Sequence, residues 1–493
     1  MKSLQGKFLT NKVTIRWLKI LNILERTRPC SAHEISTSTN LSSRTVIKEI
    51  QAMRNYFRDS VVISTNNMGY TLSETNYTEY INGKRKLIGE DPLCTVIQSV
   101  LVNDLLPVEE WAFRFHLSES TMKRFILSVV PVLEEYDLQI SLTPVDLIGA
   151  EVNIRKFFKD FYYEVDALPH LLLPFDKVDE ILVDLNAKEQ IDLLTNISPL
   201  DLHYFVYIMI QRSINNKSIE HISKKFIYTD TERKLLDTLK KNIKNVFKYE
   251  LDESELNVLF IYCISQRGIS DLPKEKKYCS RFGDNEYERK MCQELVSEYN
   301  SSLNEVLTTF IGSFLISVRW LHSIGDIMNK STFEAIDFSK KTYPSGFKNT
   351  FQFLKKNEDT LGINNRYIED ITSNLILTIE AIKDTYDRRP KKIAFLLEGS
   401  SFVNRSVQAK AFRYLRGYHD IYFLTATDLN DKYLIDHKIN IFVTNQEEYV
   451  RELLPNIDFI LFKTIPDSRD WNQLLQAINP QITKDFSLGE TLQ

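Results

Sequence analysis

The stretch Ser31–Phe57, SAHEISTSTNLSSRTVIKEIQAMRNYF, most constrains what the N-terminal part of this chain can fold into. Its pattern predicts two short helices separated by a tight break. Ser31 is placed to cap the first, and Glu34 three residues on completes a capping box. Ala32 and Ile35 face inward, Thr39-Asn40 breaks the pattern, and Leu41 pins the turn. Ser42 or Ser43 caps the second helix, which buries Val46, Ile50, Met53 and Phe57 at helical spacing. Its outward face carries Ser43, Arg44, Thr45 and Lys48, with Arg54 further along. Short hydroxyls and cations near a helix N-terminus suit phosphates and base edges. This is the pattern of a helix-turn-helix, although an ordinary αα-hairpin has the same apolar spacing.

Context favours the first reading. Val13–Glu25 is amphipathic through Ile15, Leu18, Leu21, Ile23 and Leu24. After the second helix, Val61–Thr65 and Tyr70–Leu72 flank Asn66 and Asn67 in a strand–turn–strand signal, the mark of a wing. Up to Arg58 there are eleven basic residues against three acids, a charge of +8, so the remainder carries −12 to reach the chain's −4. A basic head on an acidic body suits a protein that docks on nucleic acid by one end.

At 493 residues the chain is long enough for roughly three domains or more. Its 14 Gly and 14 Pro are few for this length and favour long helices over sandwiches or barrels. Leu202–Ile210 and Leu256–Ile264 are the longest apolar runs noted, and both fall short of a membrane span. No signal-peptide core interrupts the polar N-terminus. The five cysteines, Cys30, Cys94, Cys263, Cys279 and Cys292, form no CxxC pair. We expect free thiols in a cytoplasmic protein, with no metal and no cofactor.

A second set of the same elements follows a polar connection at 75–92, whose Lys84-Arg85-Lys86 reads as a solvated helix face. Leu93–Leu105 and Pro107–Phe115 are helical, and His116-Leu117-Ser118 repeats the turn of Asn40-Leu41-Ser42. The next helix, Glu119–Tyr136, buries Met122, Phe125, Ile126, Val129 and Leu133 and exposes Ser120, Lys123 and Arg124. Leu138–Leu142 and Val145–Ile148 around Thr143-Pro144 form another hairpin. Glu109, Glu110 and Glu119 make this copy less basic, so a packing domain of the same shape is the alternative.

The segment Leu138–Glu164, LQISLTPVDLIGAEVNIRKFFKDFYYE, behind two helix-turn-helix patterns in tandem, resembles the Mga-type global transcriptional regulators. The resemblance implies a mainly α, multidomain chain. It places winged helix-turn-helix domains at 1–75 and 90–164, helical phosphotransferase-system regulation domains at 165–280 and 285–388, and an enzyme IIB-like α/β domain at 390–493. It further implies a global, virulence-type activator that binds double-stranded DNA, forms a homodimer or higher oligomer through its regulation and C-terminal domains, and receives phosphate from a phosphocarrier protein. Domains of this kind carry an acceptor histidine on a helix, seven residues before an arginine. Leu200–Arg212 carries His203 and Phe314–Asn329 carries His322. Imidazole is chemically apt as the nucleophile, and a phosphoryl group adds roughly two negative charges. The spacing is imperfect, because seven residues before Arg212 stands Phe205, and seven after His322 stands Asn329.

Towards the C-terminus, Lys391–Leu397, Ile421–Leu424, Ile439–Thr444 and Phe459–Phe462 alternate with helical stretches and predict a small doubly wound sheet. Enzyme IIB domains resemble a phosphate cradle at the first strand end, with a cysteine nucleophile. Here Glu398 stands near that place and no cysteine follows Cys292, so docking or dimerisation is expected rather than phosphotransfer. A phosphotransferase-system component and an RNA-binding antiterminator are the alternatives to a DNA-binding regulator. Two winged copies weigh against RNA, which is usually read by sheets and loops.

Overall fold

The computed structural model describes residues 4–26, 29–163, 175–182, 195–219, 226–283, 286–297, 304–386, 390–427, 431–451 and 457–478. Two compact units, Met1–Tyr386 and Asp387–Gln493, divide the chain.

A short helix α1 (Leu4–Lys7) leads into α2 (Lys12–Arg26), α3 (Ala32–Thr39), α4 (Ser43–Phe57) and the hairpin β1 (Val61–Asn66)–β2 (Gly69–Glu74). Trp17, Ile20, Leu21, Ile35, Val46, Ile50, Met53 and Phe57 close around one small core with Val61 and Ile63 from the hairpin. Residues 4–9 do not join it. Phe8 is fully buried in the larger neighbouring core, edge-on to Phe161 with ring centroids 5.1 Å apart. The first module therefore starts structurally at α2, not at residue 1. The backbone N–H groups of Thr10 and Asn11 both donate to Asp91, at 2.7 and 3.1 Å, tying the leading segment to the end of the connection. Burial pushes the Asp91 carboxyl above its ordinary range, against the pull of these donors.

That connection is the helix α5 (Tyr77–Gly89). Lys84 in it is 4% exposed and its Nζ lies 2.7 Å from Glu25, so this member of the basic triplet is a buried ion pair and not a solvated face. The second module follows as α6 (Pro92–Leu101), α7 (Val108–Arg114), α8 (Glu119–Ser128), α9 (Val130–Glu134) and the hairpin β3 (Gln139–Leu142)–β4 (Val145–Ile148). The single helix expected over Glu119–Tyr136 is two, because Pro131 lacks an N–H and its ring collides with the preceding turn.

From α10 (Glu151–Tyr163) onward the first unit is helical: α11 (Phe175–Leu182), α12 (Pro199–Ile214), α13 (Asp230–Phe247), α14 (Glu253–Ile264) and α15 (Leu272–Phe282). Then come α16 (Glu286–Ser297), α17 (Asn304–Ile324), α18 (Phe333–Thr342), α19 (Pro344–Lys356), α20 (Glu358–Leu361) and α21 (Ile368–Tyr386). One continuous apolar core runs from the second winged module through these helices. Helix α17 is long and apolar enough to span a membrane, but its apolar face, from Leu307 to Val318, is packed inside that core.

The second unit has β5 (Lys392–Leu396), α22 (Ser401–Leu415), β6 (Asp420–Phe423), α23 (Asp431–Asp436), β7 (Ile441–Thr444), α24 (Glu448–Arg451), β8 (Asp458–Leu461) and α25 (Ser468–Ile478). All strands are parallel, in the order β6-β5-β7-β8. Ile393 and Phe395 pack under α22 and α25, while Ala394 and Leu396 meet Leu434 of α23 on the other face. Alternate residues of buried strands feed opposite layers.

Candidate nucleic-acid interface

The two helix-turn-helix copies are built by the same local chemistry, 76 positions apart. In the first, Asn40 takes the left-handed conformation (φ 58°) and the Leu41 N–H reaches back to Ser36 O. In the second, His116 (φ 53°) and the Leu117 N–H to Ala112 O do the same. These close each leading helix in the manner of a C-cap. Ser42 then caps α4, accepting from Thr45 N at 3.1 Å, and Ser118 caps α8, accepting from Thr121 N at 3.2 Å. In both copies the two hydroxyls of the cap lie 2.8 Å apart. The cap in the first copy is thus Ser42, and Ser43 opens the helix.

Arg44 and Lys48 are exposed on α4, and Ser43 and Thr45 are half-buried beside them. At the same 76-residue offset, Ser120 replaces Arg44 and Arg124 replaces Lys48. Ser120, Lys123 and Arg124 are all exposed. Ile47 falls outside the expected set. It is 52% exposed between Arg44 and Lys48, at the position that Lys123 holds in the second copy. An apolar side chain there suits a thymine methyl. Its sequence signal is an isoleucine one step off the buried stripe of Val46 and Ile50.

Arg54 is not a free cation. Its Nε donates to Ile63 O at 2.8 Å and a terminal nitrogen donates to Thr65 Oγ1 at 2.8 Å. It fastens the recognition helix to the first wing. Asn66 and Asn67 are exposed at the tip, where Asn66 Oδ1 accepts from Met68 N at 2.8 Å. Behind the tip, Cys30 pairs with Tyr70 as a short third strand, through backbone bonds of 3.0 and 2.8 Å. Gly69 is required beside it: φ is +124°, and a Cβ would come within 2.4 Å of the Cys30 backbone.

The rear of the recognition helix is fixed by a buried acid. Glu49, 5% exposed, accepts from Trp17 Nε1 at 2.6 Å and from Arg16 Nε at 2.7 Å. Glu49 offsets part of the head's positive charge from within, so it does not blunt the exposed face.

The two candidate phosphate acceptors sit differently. Both ring nitrogens of His203 face oxygens at 2.5 Å, Nδ1 that of Pro199 and Nε2 that of Asp179. The side chain of His322 is 41% exposed, with Nδ1 2.5 Å from Asp326. Helix α17 ends at Ile324, and Asn329 belongs to a separate 3₁₀ turn, Asp326–Asn329. The spacing from His322 to Asn329 is therefore not carried on one helix. In the second unit Glu398 lies at the carboxyl end of β5, locked by reciprocal bonds: its N–H donates to Asn445 Oδ1 at 2.9 Å and its carbonyl accepts from Asn445 Nδ2 at 2.7 Å. Tyr449 donates to the Glu398 carboxylate at 3.1 Å.

Residues 16–71 match a family described as an HTH domain, and residues 84–162 match the Mga helix-turn-helix domain. The chain is 21% identical over 270 residues to a protein of Streptococcus pneumoniae serotype 4 named "Putative trans-acting regulator", covering 51% of this chain and 53% of that protein. It thus spans about half the length of the curated relative it matches. With one matched helix-turn-helix domain in front and the Mga domain over 84–162, the chain is of Mga type in its recognition region.

Proposed function

We propose that this chain is a transcriptional regulator that grips duplex DNA with α4 and α8 and their wings. The observation that carries the reading is the repeated capped helix, presenting Arg44 and Lys48 in one copy and Lys123 and Arg124 in the other. Cations on exposed faces at helix N-termini position a protein on the phosphate backbone. Neither helix carries an exposed Asn or Gln pair for adenine near its N-terminus, so shape and deformability of the DNA contribute to site choice. Mobility-shift titrations of the whole protein with duplex DNA, single strands and RNA test this. Preference for duplex supports it, and RNA binding as tight as duplex binding would replace it with the antiterminator reading.

The finer reading adds activation coupled to carbohydrate status. His322 is the better acceptor, since Asp326 orients Nδ1 and the ring is accessible, whereas His203 has both nitrogens facing oxygens. Transfer of labelled phosphate from a phosphocarrier protein to wild type but not to His322→Ala supports the switch, and equal labelling discards that site. Dimerisation through the C-terminal unit draws support from Phe459 and Leu461, 57% and 43% exposed on the edge strand β8. Sedimentation of a chain ending before Lys391 should then give monomers.

A further inference from the structure

Helix α10 leaves the second wing and runs between the helices that follow, and a cavity of about 300 Å³ opens at this joint. Its walls come from α10, α12, α14, α17 and α21 and from the turn that follows α17. One stripe of α10 supplies Val152, Arg155, Lys156 and Lys159, the spacing of a single helix face. Arg267 and Lys330 join them, so five cations line the cavity and no Asp or Glu does.

Each cation has a carboxylate outside that lining. Glu255 holds Arg155, Asp160 holds Lys156, and Glu275 holds Arg267. Asp201 lies 3.7 Å from Lys159, and Glu135 3.7 Å from Lys330. Lysine has three donors and arginine five, so one carboxylate does not exhaust them. The Ser265 hydroxyl, in a residue 5% exposed, finds no hydrogen-bond partner among the described residues. The rest of the wall is largely apolar, with Phe205, Met209, Phe310 and Phe314 among it. A packing void would be lined by apolar groups throughout. This one has the size and make-up of a small-ligand site, apolar with a few convergent polar groups.

We propose that the cavity binds a small organic anion, a carboxylate or phosphate head on an apolar or sugar body, with the head against Lys159 and Lys330 and the Ser265 hydroxyl donating to it. Charge-assisted hydrogen bonds in a site withdrawn from water are the strong kind. The proposal concerns binding alone and stands whether or not the chain binds DNA.

Thermal-shift and calorimetric titrations of the full-length protein test it, with octanoate, phenyl phosphate and glucose 6-phosphate as probes and octanol, glucose and inorganic phosphate as controls. At least one organic anion should raise Tm and bind at least tenfold more tightly than its uncharged counterpart. Octanoate alone would identify a carboxylate amphiphile, and glucose 6-phosphate alone a sugar phosphate. Lys159→Gln with Lys330→Gln should weaken binding tenfold or more. Ser265→Ala, which removes a hydroxyl without a partner and leaves the fold undisturbed, should weaken it several-fold. No shift with any of the three anions, equal binding of inorganic phosphate, or unchanged affinity in both variants would overturn the proposal.

Discussion

Arg155 and Glu255 meet through two contacts of 2.6 and 2.8 Å, with only 5% and 0% of their surfaces exposed. They join the exit helix of the second wing to α14, 100 residues later. Glu151 extends the pair, accepting from Arg155 and Arg212 at 2.9 Å each. Burial alone would lower the Arg155 guanidinium, and Glu255 and Glu151 more than reverse it. Removing one partner leaves an uncompensated charge out of water. Arg155→Ala or Glu255→Ala should therefore cost about 3–5 kcal/mol, seen as a fall in thermal midpoint. Arg155→Met with Glu255→Leu should recover much of it, because both charges go together.

Salt dependence separates the cations of the first recognition helix. Arg44→Ala and Lys48→Ala should each flatten the log–log salt slope of DNA binding by about 0.9 and leave the fold intact. Arg54→Ala should instead loosen the first wing by removing its bonds to Ile63 and Thr65. That loss would register as faster amide exchange in β1 and β2. A slope change from Arg54→Ala with no change in exchange would reverse its assignment.

Gly69→Ala should destabilise the first winged module by more than about 1 kcal/mol, because alanine is strained at a positive φ. The close approach to Cys30 adds to this. Gly149, at the foot of the second wing with φ +159°, is the control at the edge of that backbone region. Differential scanning calorimetry of each variant checks the difference.

Glu232 gives an acid-sensitive contact in the helical region. Burial alone would raise its carboxyl, but the Arg281 guanidinium and the Thr229 cap hold it below its ordinary 4.5. A depressed carboxyl stabilises fully above its unfolded value and loses that contribution as pH falls through its folded value. Wild type should be more stable than Glu232→Gln at pH 7, and the gap should close below about pH 4. A gap that stays constant to pH 3 in acid-unfolding titrations would show that the ion pair contributes nothing.

Much of the recognition half was legible because its signals are local. Capping hydroxyls, the left-handed Asn40, a buried stripe at helical spacing and two-residue alternation in the wings all act over a few positions. The same holds for the four parallel strands of the C-terminal unit. Less legible were features that depend on one long-range partner. Lys84 reads as a solvated cation until Glu25, 59 residues earlier, comes within 2.7 Å. Arg54 resembles a phosphate contact until the wing folds against it. His322 and Asn329 have a helical spacing on paper, but a Cβ at Gly325 would lie 2.9 Å from Val152, and the helix stops there.

The sequence by itself determined the helix-turn-helix repeats, their wings and the basic head, since caps, turns and periodicity depend on neighbours in the chain. Only the tertiary structure decided which charges face solvent and which are buried in pairs. It also brought the cationic stripe of α10 to the wall of a cavity with Arg267 and Lys330, 108 and 171 positions beyond Lys159. The free energy of a charge depends on what surrounds it in space, and the order of residues along the chain does not record those surroundings.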